Sequence, residues 1–330
     1  MTWILGFLIL LIKLGLVLLG LLLTAAYLVL AERKLLGRFQ IRYGPNRAGP
    51  FGLLQPLADI IKMLTKEDTV PEGADRNIFL FAPAIVAATA LFIFAVVPFG
   101  QELTFRGQLI PLVVTDLNVG LLYVMALSSV NVYGIVLGGW ASNNKFSLLG
   151  GIRGAAQMIS YELSLGLSLV PVVMMAGSFS LVEIVDAQSR CPFFLLQPAA
   201  LIIFFISAVA ESKRIPFDLP EADSELVAGY HMEYSGMRFG LYFLGEYVSM
   251  IVMGGLLATF FLGGWRGPLL PPIVWFSIKV LGTAFIMIWM RTTLPRLRYD
   301  QLMDLGWKVL VPAALVNIVI TGGVLLLVKV

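Results

Sequence analysis

The chain has 330 residues, of which 59% are hydrophobic and only 13% are charged, and its formal net charge is +3. Together with a mean hydropathy of +0.91, this composition excludes an ordinary soluble domain. A single cysteine and a single histidine also exclude an iron–sulfur cluster, a bis-histidine haem or a structural zinc site held by this chain alone, because each needs several such ligands.

Eight apolar runs are each long enough to cross about 30 Å of hydrocarbon as a helix. They cover about residues 3–30, 77–97, 116–138, 154–176, 193–210, 238–262, 271–290 and 308–328. Backbone polar groups in lipid must be satisfied within the segment. The sequence therefore predicts an all-α, polytopic membrane protein with about eight transmembrane helices, in a single integral membrane domain of residues 1–330.

Lysine and arginine predict the orientation of these spans, because they accumulate on the cytoplasmic side. The segments that follow spans 1, 3, 5 and 7 hold 17 of these residues. The opposite side holds four, namely Arg106, Arg190, Arg266 and Lys329. We therefore expect both termini to face the periplasm and the large loops to face the cytoplasm.

The first cytoplasmic loop, residues 31–76, contains a stretch with helical periodicity over about 51–64. Its apolar positions are Leu53, Leu54, Leu57, Ile60, Ile61 and Leu64. Fourteen residues are too few to span the membrane, so this is predicted to be a short amphipathic helix. It is either a membrane-surface anchor or the wall of a cavity, and its few polar residues after a sharply turned basic loop favour the wall.

A second loop, about residues 211–237, is rich in acids. It contains Glu211, Asp218, Glu221, Asp223, Glu225 and Glu233. Asp218 followed three residues later by Glu221 matches a helix capping box, which is a purely structural explanation. That explanation covers only a third of these acids, so the loop calls for another role.

Two glutamates and two lysines lie inside the predicted spans: Glu162, Glu246, Lys13 and Lys279. A charge at the bilayer centre costs about 2.5–3.5 kcal/mol, so such residues are paired, neutralised or functional. One interpretation is a set of buried Glu–Lys pairs that fix the register of the helices. The other is a chain of titratable carboxylates that passes protons, since neighbouring acids in low dielectric share protons. Nearby tyrosines could bridge the acids, namely Tyr161, Tyr230, Tyr234 and Tyr247.

Four stretches together resemble the family of H-type membrane subunits of proton-pumping NADH–quinone oxidoreductases (respiratory complex I), the bacterial counterpart of the mitochondrial chain 1 family. They are "ERKLLGRFQIRYGPNRAGPFGLLQPLAD", "GWASNNKFSLLGGIRGAAQMISYE", "AESKRIPFDLPEADSELVAGYHMEYSGM" and "RTTLPRLRYDQLMDLGWK". The resemblance covers essentially the whole chain. It implies a bacterial inner-membrane protein, active only as part of an H⁺-translocating NADH:quinone reductase.

The resemblance also implies which partners and cofactors to expect. Quinone would bind in a chamber shared with hydrophilic subunits, and NADH, FMN and iron–sulfur clusters would be on those partner subunits. Antiporter-like membrane subunits would continue the proton path, and no nucleic acid is involved. This chain would bind no cofactor itself.

Matched residue by residue, the family's quinone passage falls on Glu32, Arg33, Arg42, Asp59 and Arg291. Its acidic proton path falls on Glu162, Glu211, Glu221, Asp223, Glu225, Glu233 and Glu246. Two positions depart from the pattern: Asp223 stands where many relatives have glutamate, and Ser129 where some carry glutamate. The nearest alternative is the equivalent subunit of an energy-converting membrane hydrogenase or related dehydrogenase. A stand-alone transporter is disfavoured because the sequence has no internal repeat.

Overall fold

The computed structural model of the protein describes residues 2–100, 102–105 and 108–328. Its helices are α1 (Thr2–Phe39), α2 (Gln55–Thr65), α3 (Arg76–Phe94), α4 (Gly120–Ala141), α5 (Lys145–Ala176), α6 (Leu181–Ala187), α7 (Phe193–Leu196), α8 (Pro198–Glu211), α9 (Asp223–Leu226), α10 (Gly236–Phe261), α11 (Pro272–Thr293), α12 (Tyr299–Asp304) and α13 (Val311–Val328). A π-helical turn, Leu305–Leu310, joins the last two. One antiparallel hairpin, β1 (Glu102–Phe105) and β2 (Gln108–Pro111), lies between α3 and α4.

The predicted all-α, polytopic membrane architecture is confirmed. Within the described residues, seven helices are long and apolar enough to cross a membrane. The eighth predicted span, 193–210, is broken at Gln197 into α7 and α8. Helix α8 has 14 residues, or about 21 Å at 1.5 Å per residue, which is shorter than the hydrocarbon layer. The break has a physical cause, because Pro198 begins α8 and the backbone of Gln197 is not helical.

The amphipathic helix predicted over 51–64 is present as α2, which begins four residues later. The chain turns immediately before it, because Phe51 and Gly52 both have positive φ. The hairpin was not predicted from the sequence. Arg106 and Lys329, which entered the orientation argument, lie outside the described residues.

Helix α10 is the central helix of the bundle, with 72% of its most apolar window buried. It packs closely against α3, and α4 also packs against α3. A Cβ on Gly134 of α4 or on Gly245 of α10 would lie 2.5 or 2.8 Å from Val86 of α3. The two glycines therefore let α4 and α10 approach the backbone of α3 closely. The resulting van der Waals contacts stabilise the packing of the three helices.

The loops that follow α1, α4, α8 and α11 meet at one end of the bundle, which we call the basic end. Arg238 pairs with Asp68 at 2.9 Å, and the Asn144 side chain donates to Glu233 at 2.6 Å. Arg296, after α11, pairs with Asp218 at 2.9 Å. The segments that are richest in lysine and arginine are thus folded together, and most of the predicted site residues lie among them.

Candidate functional site

A buried ion cluster at the basic end is centred on Arg214, in the loop after α8. Its Nη1 donates to both carboxylate oxygens of Glu32, at 3.0 and 2.9 Å, and its Nε lies 2.9 Å from Glu246 Oε1. Arg291, near the end of α11, also donates to Glu32. Arg214 and Glu32 are only 3% and 2% exposed. Since buried charges persist only when they are paired, this cluster holds two carboxylates against two guanidinium groups.

A second cluster surrounds Glu221 in the acidic loop. The Tyr230 hydroxyl donates to Glu221 Oε1 at 2.6 Å and accepts from Lys213 Nζ at 2.6 Å. Lys213 Nζ lies 3.5 Å from the same carboxylate oxygen, and His231 Nε2 lies 3.8 Å from the other. One tyrosine hydroxyl is therefore hydrogen-bonded to a carboxylate and an ammonium group at once.

The electrostatics of this cluster favour the charged forms of both partners. Burial alone would raise the pKa of Glu221, but the charge of Lys213 and the hydrogen bond and charge of His231 outweigh it and hold that pKa below its usual range. Burial would lower the pKa of His231, but its contact with Glu221 raises the net value.

Asp218 differs from its neighbours. Burial and the charge of Glu221 raise the pKa of Asp218 to about 6, although Arg296 and Arg291 oppose the shift. Its Oδ1 is buried without a hydrogen-bond partner among the described residues. This carboxyl therefore changes its protonation state near neutral pH.

The capping-box explanation for Asp218 and Glu221 is wrong. No helix begins at Asp218, since the chain is irregular there and α9 begins at Asp223 with Ala222 at its N-cap. Pro220 lies between the two acids and removes one of the backbone N–H groups that a cap would use. Both carboxylates bind cationic side chains from elsewhere in the chain.

A polar cavity of about 270 Å³ joins the two clusters. Charged and hydroxyl groups dominate its wall, namely Lys213, Arg214, Asp218, Glu221, Tyr230, His231, Tyr242, Glu246 and Arg291. Arg291 was predicted for the quinone passage, and Glu221 and Glu246 for the proton path. Residues predicted for the quinone passage and residues predicted for the proton path thus line the same cavity.

An apolar cavity of about 300 Å³ lies beside it, between α1, α2 and α10. Its wall contains Leu22, Ala25, Ala26, Val29, Pro56, Ile60, Met63, Met237, Phe243, Leu244 and Tyr247. The main polar groups in that wall are Arg33 and Asp59, which form an ion pair at 2.7 Å. The amphipathic helix α2 therefore walls a cavity, as its sequence favoured.

The two cavities adjoin each other through two aromatic residues. Phe243 lines both. Tyr247 lines the apolar cavity, and the centre of its ring lies 4.3 Å from the guanidinium carbon of Arg214 in the polar one. A change of charge in the apolar cavity would thus act on Arg214 across a single aromatic ring.

The five residues predicted for a quinone passage are divided by the fold. Arg33 and Asp59 line the apolar cavity, whereas Glu32 and Arg291 belong to the Arg214 cluster. Arg42 joins neither group, because it lies on the exposed surface with its Nε bonded to Gln40 Oε1 at 2.7 Å.

The predicted acids inside the bundle have fewer cationic partners. Glu162, on α5, accepts hydrogen bonds at its Oε1 from Ser128 at 3.0 Å and from Ser129 at 2.5 Å. Glu211, on the last turn of α8, is 4% exposed, and its Oε2 has no partner among the described residues. Close by, the Gln157 amide donates to the backbone oxygens of Ala210 and Phe217.

The remaining acids lie nearer to the surface. Glu225 pairs with Arg153 at 2.6 Å, and Glu233 accepts from the Asn144 amide. The side chain of Asp223 lies outside the described part of the structure.

The interpretation of in-span Glu–Lys pairs is wrong for both lysines. Lys279 donates to the backbone oxygens of Leu262, Gly264 and Arg266 at 2.6–2.8 Å, so it caps the end of α10. Lys13 donates to the backbone oxygen of Val113. Both ammonium groups satisfy orphan carbonyls, which is a structural role.

Of the four tyrosines that could bridge acids, none has hydrogen bonds to two acids within the described residues, although Tyr230 joins Glu221 to Lys213. Tyr230 binds Glu221, whereas the hydroxyls of Tyr161 and Tyr234 bond to the backbone oxygens of Leu302 and Gly138. Tyr247 contacts the acid cluster through its ring and Arg214.

Sequence reasoning missed the cations and hydroxyls that organise these acids: Lys213, Arg214, Ser128 and Ser129. A signal for the first two was present, because "ESKRIPFD" places two basic residues immediately after Glu211. Ser129 had been noted only as a position where some relatives carry glutamate, and Ser128 carried no signal, since hydroxyl groups are common in transmembrane helices.

Comparison with known proteins gives one consistent result. The model of a family described as "NADH dehydrogenase" matches residues 12–322. The chain is 72% identical to the H 2 subunit of the NADH-quinone oxidoreductase of Syntrophobacter fumaroxidans, over 98% of each chain. It is 66% identical to the corresponding H 2 subunit of Geobacter sulfurreducens over 96% of each chain, and 62% identical to the H subunit of Syntrophotalea carbinolica over 94% of each.

Proposed function

The chain belongs to the NADH dehydrogenase family, and from that premise we propose that it couples quinone reduction to proton movement as a membrane subunit of an H⁺-translocating NADH–quinone oxidoreductase. One observation carries the proposal. An apolar cavity with a single ion pair, Arg33–Asp59, adjoins a polar cavity of paired acids through Tyr247 and Arg214.

The apolar cavity suits a quinone. An isoprenoid tail needs an apolar wall, and a quinone ring needs a few polar groups to orient its oxygens. Here α1, α2 and α10 supply the wall, and Arg33 and Asp59 supply the polar groups. The ion pair keeps both groups at the cavity. It uses Nη1 of Arg33, so the other N–H groups of that guanidinium would donate to a ring oxygen.

The polar cavity suits the coupling step. Reduction of a quinone to a quinol consumes electrons and protons, so charge changes within the apolar cavity during turnover. Arg33 lies in the wall of that cavity, and Arg214 lies behind the ring of Tyr247, where it already divides its attraction between Glu32 and Glu246. A shift in that balance changes the protonation of the acids that follow, and Glu211 and Glu162 continue the series into the bundle.

The partners follow from the same premise. Hydrophilic subunits would cover the basic end, complete the quinone chamber and carry NADH, FMN and the iron–sulfur clusters. Antiporter-like membrane subunits would receive the proton signal laterally. The protein would lie in the bacterial inner membrane with its termini on the periplasmic side, so that the basic end faces the cytoplasm.

A cavity-filling variant tests the quinone part of the proposal. Ala26→Trp places an indole in the apolar cavity, since Ala26 is part of its wall. We expect kcat/KM for quinone to fall about tenfold or more, mainly through KM, because the tail loses its space. The measurement is NADH:quinone reduction by the complex purified through a tag on this chain.

The matched control is Leu23→Trp, on the same helix, since Leu23 is 50% exposed outside the cavity. Unchanged quinone kinetics in Ala26→Trp would remove this cavity from the quinone site. A tagged chain that purifies with nickel-containing partners and no flavin would instead favour a hydrogenase relative.

Replacing a buried-path glutamate by neutral glutamine tests the proposed role in proton movement. Glu162→Gln keeps the shape of the side chain but cannot carry a proton, so we expect proton pumping to fall about 10²-fold while the complex still assembles. Pumping is measured in inverted membrane vesicles with NADH. Asp304→Asn, at an exposed pair with Lys308, is the control. Full pumping by Glu162→Gln would exclude it from the path.

A further inference from the structure

Two serine hydroxyls form the immediate surroundings of the Glu162 carboxylate. Ser128 and Ser129 are consecutive residues of α4, and each has two acceptors within reach. Ser128 Oγ lies 3.0 Å from Glu162 Oε1 and 2.9 Å from the backbone oxygen of Met125. Ser129 Oγ lies 2.5 Å from the same carboxylate oxygen and 3.1 Å from the same backbone oxygen.

Each hydroxyl has only one proton, so it can donate to only one of these acceptors at a time. When Glu162 is ionised, both hydroxyls can donate to Oε1. When Glu162 is protonated, its own O–H can donate to one serine, and that serine can turn its proton to the Met125 oxygen. The second serine continues to donate to the carboxyl group.

Neither protonation state therefore leaves Oε1 or a serine hydroxyl without a partner. That balance is unusual inside a membrane, where an unsatisfied group costs most. An arginine or lysine partner would favour the ionised form alone, as Arg214 does for Glu32. The Met125 oxygen allows both states, because a serine hydroxyl that no longer donates to the protonated carboxyl group can donate to this backbone oxygen instead.

We propose that Ser128 and Ser129 are positioning residues that hold Glu162 ready to accept and release a proton. This inference rests on the proposed function and deepens it. As a proton arrives, an O–H bond forms on Glu162, and the protonated acid that gave it up becomes a carboxylate. One serine then rotates toward Met125, and the motion reverses when the proton leaves.

Few other titratable groups face this site. On α8, Glu211 is close enough for its charge and that of Glu162 to act on each other. At the end of α12 and in the π-helical turn after it, Asp304 and Lys308 pair with one another on the exposed surface. Tyr161, beside Glu162 on α5, donates to a backbone oxygen instead. The serine pair is thus the main described contact of the carboxylate.

The test compares the Ser128→Ala/Ser129→Ala variant with wild type in vesicles that contain the whole complex. Losing two donors disfavours the ionised carboxylate, so the acid limb of the pumping profile should move upward by about one pH unit. We also expect about tenfold less pumping at the wild-type optimum, while NADH:quinone reduction with an uncoupler persists. Infrared difference spectra should show a shifted carboxyl C=O band, the same one that Glu162→Gln removes.

Two further variants separate positioning from packing. Ser128→Ala/Ser129→Thr retains one hydroxyl and should recover part of the shift. Ser164→Ala, on α5, removes a buried hydroxyl that contacts Ser207 at 2.7 Å and no acid, so it should leave the profile unchanged. If the double alanine variant fails to assemble, Ser129→Ala alone, at an exposed position, should give a smaller shift of the same sign.

The outcomes distinguish this inference from the proposed function. If Glu162→Gln pumps normally, both fail, because Glu162 is then outside the path. If Glu162→Gln abolishes pumping but the serine variants keep the wild-type pH profile and infrared band, only the role of the serines is overturned. A threonine variant with the same shift as the double alanine variant would also overturn it.

Discussion

The acids at the basic end and the acid in the middle of the bundle are held in different ways. Glu32 is bound by Arg214 and Arg291, and Glu221 by Lys213 through Tyr230. Glu162 is bound by two serine hydroxyls instead. Both environments give the carboxylate hydrogen-bond donors, but only the first pairs it with cationic groups.

The difference follows from what each partner can do. A guanidinium or ammonium group donates protons and carries a charge, so it stabilises the ionised acid and opposes protonation. A hydroxyl both donates and accepts, so it binds the neutral and ionised forms alike. The basic end is therefore suited to sense charge, and the bundle interior is suited to pass protons.

Removing the Arg214 cation from the basic end should cause the largest loss of stability that we expect. In Arg214→Met, Glu32 and Glu246 lose their shared partner inside the protein. We expect a loss of about 3–5 kcal/mol in stability, because an uncompensated buried charge remains. The measurement is thermal inactivation of the complex, together with the amount of this chain in the membrane.

Arg298→Gln is the matched control, because Arg298 pairs with Asp300 on the exposed surface. Such pairs are worth about 1 kcal/mol or less. If Arg214→Met costs no more than this control, Glu32 and Glu246 are not held as charges. Adding Glu32→Gln and Glu246→Gln to Arg214→Met should recover most of the lost stability, since no buried charge is then left.

Much of the fold was predictable from the sequence because lipid imposes strict rules. Long apolar runs must be helices, and the seven described long helices cover seven of the eight predicted spans. The break at Gln197 has a local signal that the eight-span prediction did not use, since Pro198 disfavours a helical backbone at Gln197. The contacts of the Gln197 side chain with Asn317 and Thr321 are distant in sequence and had no such signal. Amphipathic periodicity identified α2 but placed its start too early, since the turn at Phe51 and Gly52 is a local backbone feature.

The acidic residues of the site were predictable from the sequence, but the cations with which they pair were not. Family resemblance placed Glu32 and Arg33 in one passage, although they are adjacent on a helix and their side chains reach different neighbours. Arg33 binds Asp59 and faces the apolar cavity, whereas Glu32 binds Arg214. Such partners are separated by many residues in the sequence, so no local pattern indicates them.

Neutralising Asp218 tests whether an acid with a cationic partner can still exchange its proton, because this acid is intermediate between the two environments. It pairs with Arg296 at 2.9 Å, yet burial and the charge of Glu221 raise its pKa to about 6 from an ordinary value of 3.8. The folded protein therefore holds this proton at a pH where the unfolded chain has lost it. Stability from this group is present below about pH 4 and is lost as the pH rises to about 6.

Asp218→Asn cannot lose that proton, so its stability relative to wild type should rise by up to about 3 kcal/mol between pH 4 and pH 6. The change in the Arg296 contact adds a constant offset and leaves this slope intact. Asp186→Asn, at the half-exposed pair with Arg266, should differ from wild type by less than about 1 kcal/mol throughout. A flat difference for Asp218→Asn would mean that Arg296 holds this carboxylate ionised, and Asp218 would then belong with the fixed charges of the basic end.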